Sequence, residues 1–193
     1  MKTTTKIASF VINLLIITAL FAAIYGAAQQ TIRQAANDPQ IQIAGDMALL
    51  LSSGARVADI EQQVNALRKV DAAHSLSPFV SVYDGEGKLI ASSGVLDGQP
   101  VSIPVGVLTS ADKTGRNEVT LQPQKGVRIA SAVSAFDQAV FGQGKGYVVS
   151  GKSLAEAESR THKIGLMILM AWLFSIVAFI IKSFIKYRGG SGN

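Results

Sequence analysis

The chain has 193 residues, a formal net charge of +5 and no cysteine. That is roughly one domain by length, and it excludes a disulfide framework, a cysteine metal site and a thiol nucleophile. The positive excess lies wholly at the ends, with Lys2 and Lys6 at one and Lys182, Lys186 and Arg188 at the other, while the residues between them balance their acids and bases. Basic ends of this kind suit anionic lipid head groups, and no nucleic-acid signal remains once they are set aside.

From Ile7 to Ile32 there is no Asp, Glu, Lys or Arg, and residues 7–28 are almost wholly apolar. Residues 164–181 (IGLMILMAWLFSIVAFII) are likewise uncharged. At about 1.5 Å per residue, either stretch covers about 27–33 Å, the thickness of a bilayer's hydrocarbon core. The sequence therefore predicts transmembrane helices at 7–28 and 164–181. The tail 1–6 and the basic tail 182–193 are then expected in the cytoplasm, and residues 29–163 outside the membrane, because basic residues stay inside. An alternative is a signal peptide cut after small residues such as Gly26 and Ala28, but the apolar run exceeds the roughly 7–15 residues of a signal core.

Beyond the first apolar segment, QQTIRQAAN contains no helix breaker and extends the helix. Asn37-Asp38-Pro39 is expected to interrupt it, with Asp38 as N-cap and Pro39 opening a new helix. Ile41, Ile43, Ala44, Met47, Ala48, Leu50 and Leu51 form the apolar face of that helix, and Gly54 stops it. A second helix follows from about Asp59 to Val70, on the spacing of Ile60, Val64, Leu67 and Val70. From Ser75 the texture changes. FVSVY at 79–83, the turn Asp84-Gly85-Glu86-Gly87 and KLIASSG at 88–94 read as a hairpin. Pro100 and Pro104 bound a connection, residues 106–113 form a short helix, and strands follow at 117–122, 127–136 and 146–151. Ser153 and Glu156 have capping-box spacing for a helix that runs unbroken into the second apolar segment. The expected fold class is α+β, with two transmembrane helices flanking a domain built on an antiparallel sheet of about five strands. The end Gly189-Gly190-Ser191-Gly192 reads as a flexible tail.

FVSVYDGEGKLIASSGVLDG resembles the strand, turn, strand signature of PAS-like (Cache-type) extracytoplasmic sensor domains, which lie between the two spans of bacterial membrane receptors. VRIASAVSAF and GKGYVVSGKSL, the latter leading into a membrane-bound helix, resemble later strands of the same pattern. The resemblance covers residues 38–163 in topology. It implies a place in the inner membrane, a small ligand bound on one face of the sheet, and a helix shift passed through the bilayer. With only a short tail after Lys182, no linker, kinase, cyclase or methyl-accepting segment is expected. Anything sensed is therefore expected to be reported by a separate membrane or envelope protein.

No GxSxG, HExxH, CxxC or Walker loop is present, so an enzyme is not expected, nor any cofactor or metal site. His162 beside Lys163 reads as an interfacial residue, and His74 as a partner of the preceding helix's last carbonyls. Gly142-Gln143-Gly144-Lys145-Gly146 precedes a strand and reads as a hairpin loop instead of a phosphate loop. Arg128 is the candidate ligand anchor. In its strand, Val127, Ile129 and Val133 share one face, and Arg128, Ala130, Ala132 and Ser134 the other. A fixed cation among small side chains leaves room for a ligand carboxylate, with Tyr147 or Ser150 supplying a polar group beside it. The plainer reading of Arg128 is an exposed or ion-paired residue. Ala19, Ala22, Ala23, Gly26 and Ala27 put small residues four apart on the first apolar helix. Such spacing suits packing against the second span, and together with the resemblance it leaves a homodimer open. The functional expectation is a sensor-like membrane protein that binds a small ligand or an envelope partner. The alternative is a structural or assembly component of the envelope without a ligand.

Overall fold

The computed structural model describes residues 2–138 and 144–189, with side chains between 7 and 185. Part of the Gly-rich loop, the side chains of Lys2, Lys6, Lys186 and Arg188, and the tail end 190–193 lie outside the described parts. The described chain is α+β, with four α-helices and eight strands. It divides into two compact units, Arg33–Glu158 and Met1–Ile32 with Ser159–Asn193.

Helix α1 (Lys2–Ser52) does not break at Pro39. This corrects the expected interruption at Asn37-Asp38-Pro39, and Asp38 is an interior residue instead of a cap. Proline removes one helix hydrogen bond and crowds the preceding turn. Two features offset that cost. Gln40 is buried and, with its amide nitrogen turned toward the helix, donates to Ala36 O at 2.6 Å and Asn37 O at 3.0 Å. Beyond it Ala44, Ala48 and Leu51 bury against the sheet, and that burial outweighs a local preference. The helix ends where Gly54 predicts. Gly54 has φ +103°, its N–H donates to Leu51 O and that of Ala55 to Leu50 O, the two bonds of a Schellman stop.

Helix α2 (Val57–Ala66) follows, shorter than expected: Leu67 is already extended, and Val70 lies in β1 (Val70–Asp71). The expected hairpin is β2 (Phe79–Asp84) with β3 (Leu89–Ser92), paired antiparallel. The segment 88–94 is not one strand, however. Ser93 turns back, its N–H donating to Val80 O and its Oγ accepting from Val80 N. Gly94 then opens β4 (Gly94–Leu96) in a second sheet. There β4 lies between β1, which it pairs in parallel, and β5 (Gln99–Pro100), reached through a turn at Asp97-Gly98. Next come α3 (Val105–Thr109) and a 3-10 turn (Ser110–Lys113). The remaining strands are β6 (Arg116–Gln124), β7 (Val127–Asp137) and β8 (Lys145–Ser153), and α4 (Ala155–Gly189) closes the described chain.

The larger sheet has five antiparallel strands in the order β3-β2-β8-β7-β6, so the last strand is central and both hairpins meet on it. Each face carries its own buried cluster. Val80, Val82, Ala132, Phe136 and Val148 pack against Ala44, Ala48 and Leu51 of α1 and Ile60 and Val64 of α2. Phe79, Tyr83, Ile129, Val133, Tyr147 and Val149 pack under Val101, Ile103, Leu108 and Ala111. Phe79 fits because Gly94 and Gly151 flank its ring; a Cβ at either would overlap it. The end of β7 is fastened to the end of α1 by the buried Gln138, whose Nε2 donates to Leu51 O and Ala55 O, both at 2.6 Å.

In the other unit, the first part of α1 and most of α4 are long and apolar enough to cross a membrane. Phe10 stacks on Phe179, Thr18 meets Trp172 and Tyr25 meets Gly165. Partner numbers fall along α4 as they rise along α1, so the two helices pair antiparallel.

Candidate functional site

The three residues singled out by sequence sit on β7 and β8, and the register of these strands decides which of them meet. Side chains alternate between the faces of a strand. Ala132 and Phe136 of β7 belong to the cluster under α1 and α2, and Ile129 and Val133 to the opposite one, which is the expected division. Arg128 therefore points to the α1 and α2 side. Ser150 shares that side with Val148, whereas Tyr147 and Val149 point to the other. Ser150 pairs with Ala132, four residues or about 13 Å along β7 from Arg128. The sheet thus places Arg128, Ser150 and Tyr147 at three separate points.

Arg128 Nη1 donates to Glu158 Oε1 at 2.6 Å, and the two side chains are 49% and 47% exposed. The Arg128 carbonyl also accepts from Leu154 N at 2.8 Å. Arg128 consequently holds the first turn of α4 to the start of β7. Glu158 suits that position, because a carboxylate near a helix N-terminus complements the unpaired N–H groups there. At the expected capping box, α4 begins at Ala155 instead of just after Ser153; Ser153 Oγ accepts from Ala155 N at 3.3 Å and donates to Ala73 O at 3.2 Å, and Glu156 reaches Lys152 at 3.9 Å.

Ser150 is fully buried, and its Oγ has no protein partner among the described residues; the same is true of Ser131 Oγ on the opposite face. Such hydroxyls cost about 1–3 kcal/mol unless a water or ligand serves them. Around Ser150 the neighbours are small or apolar. Val80 and Ala132 flank it across the strands.

Tyr147 belongs to a polar fastening that the sequence does not announce. It stands directly opposite Tyr83 across β2 and β8. Tyr83 OH donates to Val101 O at 3.2 Å, and Tyr147 OH donates to Asp112, with its oxygens at 3.0 and 3.1 Å. Two phenols thereby hold the segment from Val101 to Asp112 down on the sheet, and Lys145 approaches the same carboxylate at 3.7 Å. Burial pushes the Tyr83 hydroxyl up to about 12. Burial, with the Asp112 carboxylate accepting its proton, also raises Tyr147. Strand alternation could have put both phenols on one face. Their partners lie in a connection whose path no periodicity reveals.

Nearby, Ser81 Oγ and Ser92 Oγ are 2.8 Å apart, Ser92 Oγ donates to Gly94 O, and Lys69 Nζ donates to Ser92 O at 2.6 Å. These bonds satisfy the backbone where the chain leaves one sheet for the other. His74 lies with Asp71, Nδ1 to Oδ2 at 3.0 Å, instead of capping a helix. The imidazole contact, helped by the Ala73 N–H, holds the Asp71 carboxyl below the usual range. Among the described residues no group of three His, Cys, Asp or Glu is placed to hold a metal ion. No family model, curated protein or solved structure matches the chain.

Proposed function

We propose that this chain is a membrane-anchored, PAS-like (Cache-type) domain displayed on the extracytoplasmic side of an inner membrane, with both ends in the cytoplasm, and that it acts by engaging a separate membrane or envelope protein. The observation that carries the reading is continuity. α1 is one helix from the apolar segment to the sheet, and α4 begins two residues after the central strand β8. Among the described residues, both connections between the sheet domain and the apolar segments are helical. The five-stranded antiparallel sheet and the strand, turn, strand signature at β2 and β3 support the PAS-like part of the reading. The uncharged runs and basic ends support the two spans and their orientation. At Arg128, Glu158 already engages the guanidinium, so a small ligand anchored there has to displace that pair.

One observation favours the second reading, an envelope assembly component without a ligand. Both faces of the sheet carry buried apolar clusters. The two readings separate in a thermal-shift screen of carboxylates and amino acids on the detergent-solubilised chain, run beside co-purification from the membrane. A compound that stabilises the wild type but not Arg128→Ala supports ligand sensing at that residue. No shift across a broad screen, with one envelope protein recovered at fixed stoichiometry, places the assembly role first.

A further inference from the structure

The paired apolar helices border an open groove of about 460 Å³. At one end lie Thr18 and Trp172, where Trp172 Nε1 donates to Thr18 Oγ1 at 3.2 Å and Thr18 Oγ1 donates onward to Leu14 O at 2.9 Å. At the other lie Tyr25 and His162, at the end of the pair from which the chain continues into the sheet. Thr18 and Trp172 are each close to the middle of their apolar segments. Tryptophan in spanning helices is enriched at the interface, where its N–H meets water; at mid-depth it needs a partner, and Thr18 provides one. Both residues line the groove at its inner end.

Length argues for what the groove holds. From Thr18 to Tyr25 the helix rises about 11 Å, and from Thr161 to Trp172 about 17 Å, which brackets the roughly 15 Å of one leaflet's hydrocarbon. A third helix, from a second copy or another protein, would need a track through both leaflets. One acyl chain needs only this half. Charge complements the mouth, where Lys163 follows the lining residue His162, both are exposed, and no acid lines the groove. From this geometry we infer that the groove between α1 and α4 binds an acyl chain of an anionic phospholipid in the leaflet next to the sheet domain, with the head group's phosphate at Lys163 and His162. The inference rests on the proposal that these helices span a bilayer.

Trp172 is the only tryptophan in the chain and lines the inner end of the groove, so it reports occupancy directly. The full chain is reconstituted in phosphatidylcholine vesicles containing about one-tenth brominated phosphatidylglycerol, or the same fraction of brominated phosphatidylcholine, and Trp172 fluorescence is compared. One basic residue near the surface favours an anionic lipid about fivefold, so the anionic quencher should reach Trp172 with about fivefold higher apparent affinity. Lys163→Gln should remove most of that preference. Ala22→Phe, which fills the groove wall, should abolish it while leaving quenching by a fully brominated phosphatidylcholine host in place. Equal quenching by the two lipids, or a preference that survives Ala22→Phe, overturns the inference while leaving the spans standing. If even the fully brominated host fails to quench Trp172, the spanning proposal fails and takes this inference with it.

Discussion

The two units use the same apolar residue types in opposite ways. In Arg33–Glu158, Phe79, Leu108 and Val149 are fully buried between a sheet and its covering segments. In the paired helices, Phe174 is 78% exposed and Met167 70%. A water-soluble surface does not present large side chains at that density, whereas a surface solvated by lipid does. Apolar content alone therefore does not tell the two units apart. What separates them is the pattern, alternating and punctuated by glycine in one, unbroken over a bilayer's thickness in the other.

The sharpest way to test that contrast is to remove one phenylalanine from each unit. Phe79→Ala empties the space between Gly94 and Gly151 and should cost about 3–5 kcal/mol in a urea titration of the solubilised chain. Phe174→Ala should move the sheet domain's midpoint by less than about 0.5 kcal/mol. Equal shifts would mean that the two units do not bury phenylalanine differently.

Alkaline pH should destabilise the sheet domain. Tyr83 keeps its proton up to about 12 in the fold, against the ordinary 10.0 once exposed. Above pH 10 the unfolded chain therefore binds fewer protons than the folded one, and stability falls as pH rises. The stabilising contribution is complete below pH 10 and is lost as pH approaches about 12, a loss of about 2–3 kcal/mol. Tyr147, also raised, adds to it in the same direction. Urea midpoints measured from pH 9 to 12 should show the decline, and Tyr83→Phe should flatten it.

The smallest effect is expected at the exposed pair. Arg128→Ala should cost about 0.2–1 kcal/mol, less in high salt, with a coupling to Glu158→Ala of the same size in a double-mutant cycle. A cost of several kcal/mol would show that Arg128 does more than hold α4 to β7.

How much of this was legible in the sequence depended on whether the deciding contact was local. β2, β3, β6, β7 and β8 follow from alternation and Gly turns, and the division of β7 into Ile129 and Val133 against Arg128 and Ala132 follows from a period of two. The Schellman stop at Gly54 was equally local. Pro39 was misread because the contacts that keep α1 intact are tertiary: the burial of Ala44 and Leu51, and a side-chain amide one residue on. The sheet of β1, β4 and β5 was missed because its strands have two or three residues, too few to show a period. At the site, alternation placed Arg128 correctly by face. It could not supply the register that separates Arg128 from Ser150, nor a Glu158 partner 30 residues further along the chain.

The central claim, that two spans hold the sheet domain on one side of a membrane and both ends on the other, is open to one direct measurement. The chain has no cysteine, so a single one can be placed at will. Ser102→Cys, exposed between β5 and α3, and a cysteine fused after Asn193 are each treated in intact cells with a membrane-impermeant maleimide. Ser102→Cys should label once the outer envelope admits the reagent, and the C-terminal cysteine only after the inner membrane is broken. Labelling of the C-terminal cysteine in intact cells, or protection of Ser102→Cys until lysis, would contradict the claim.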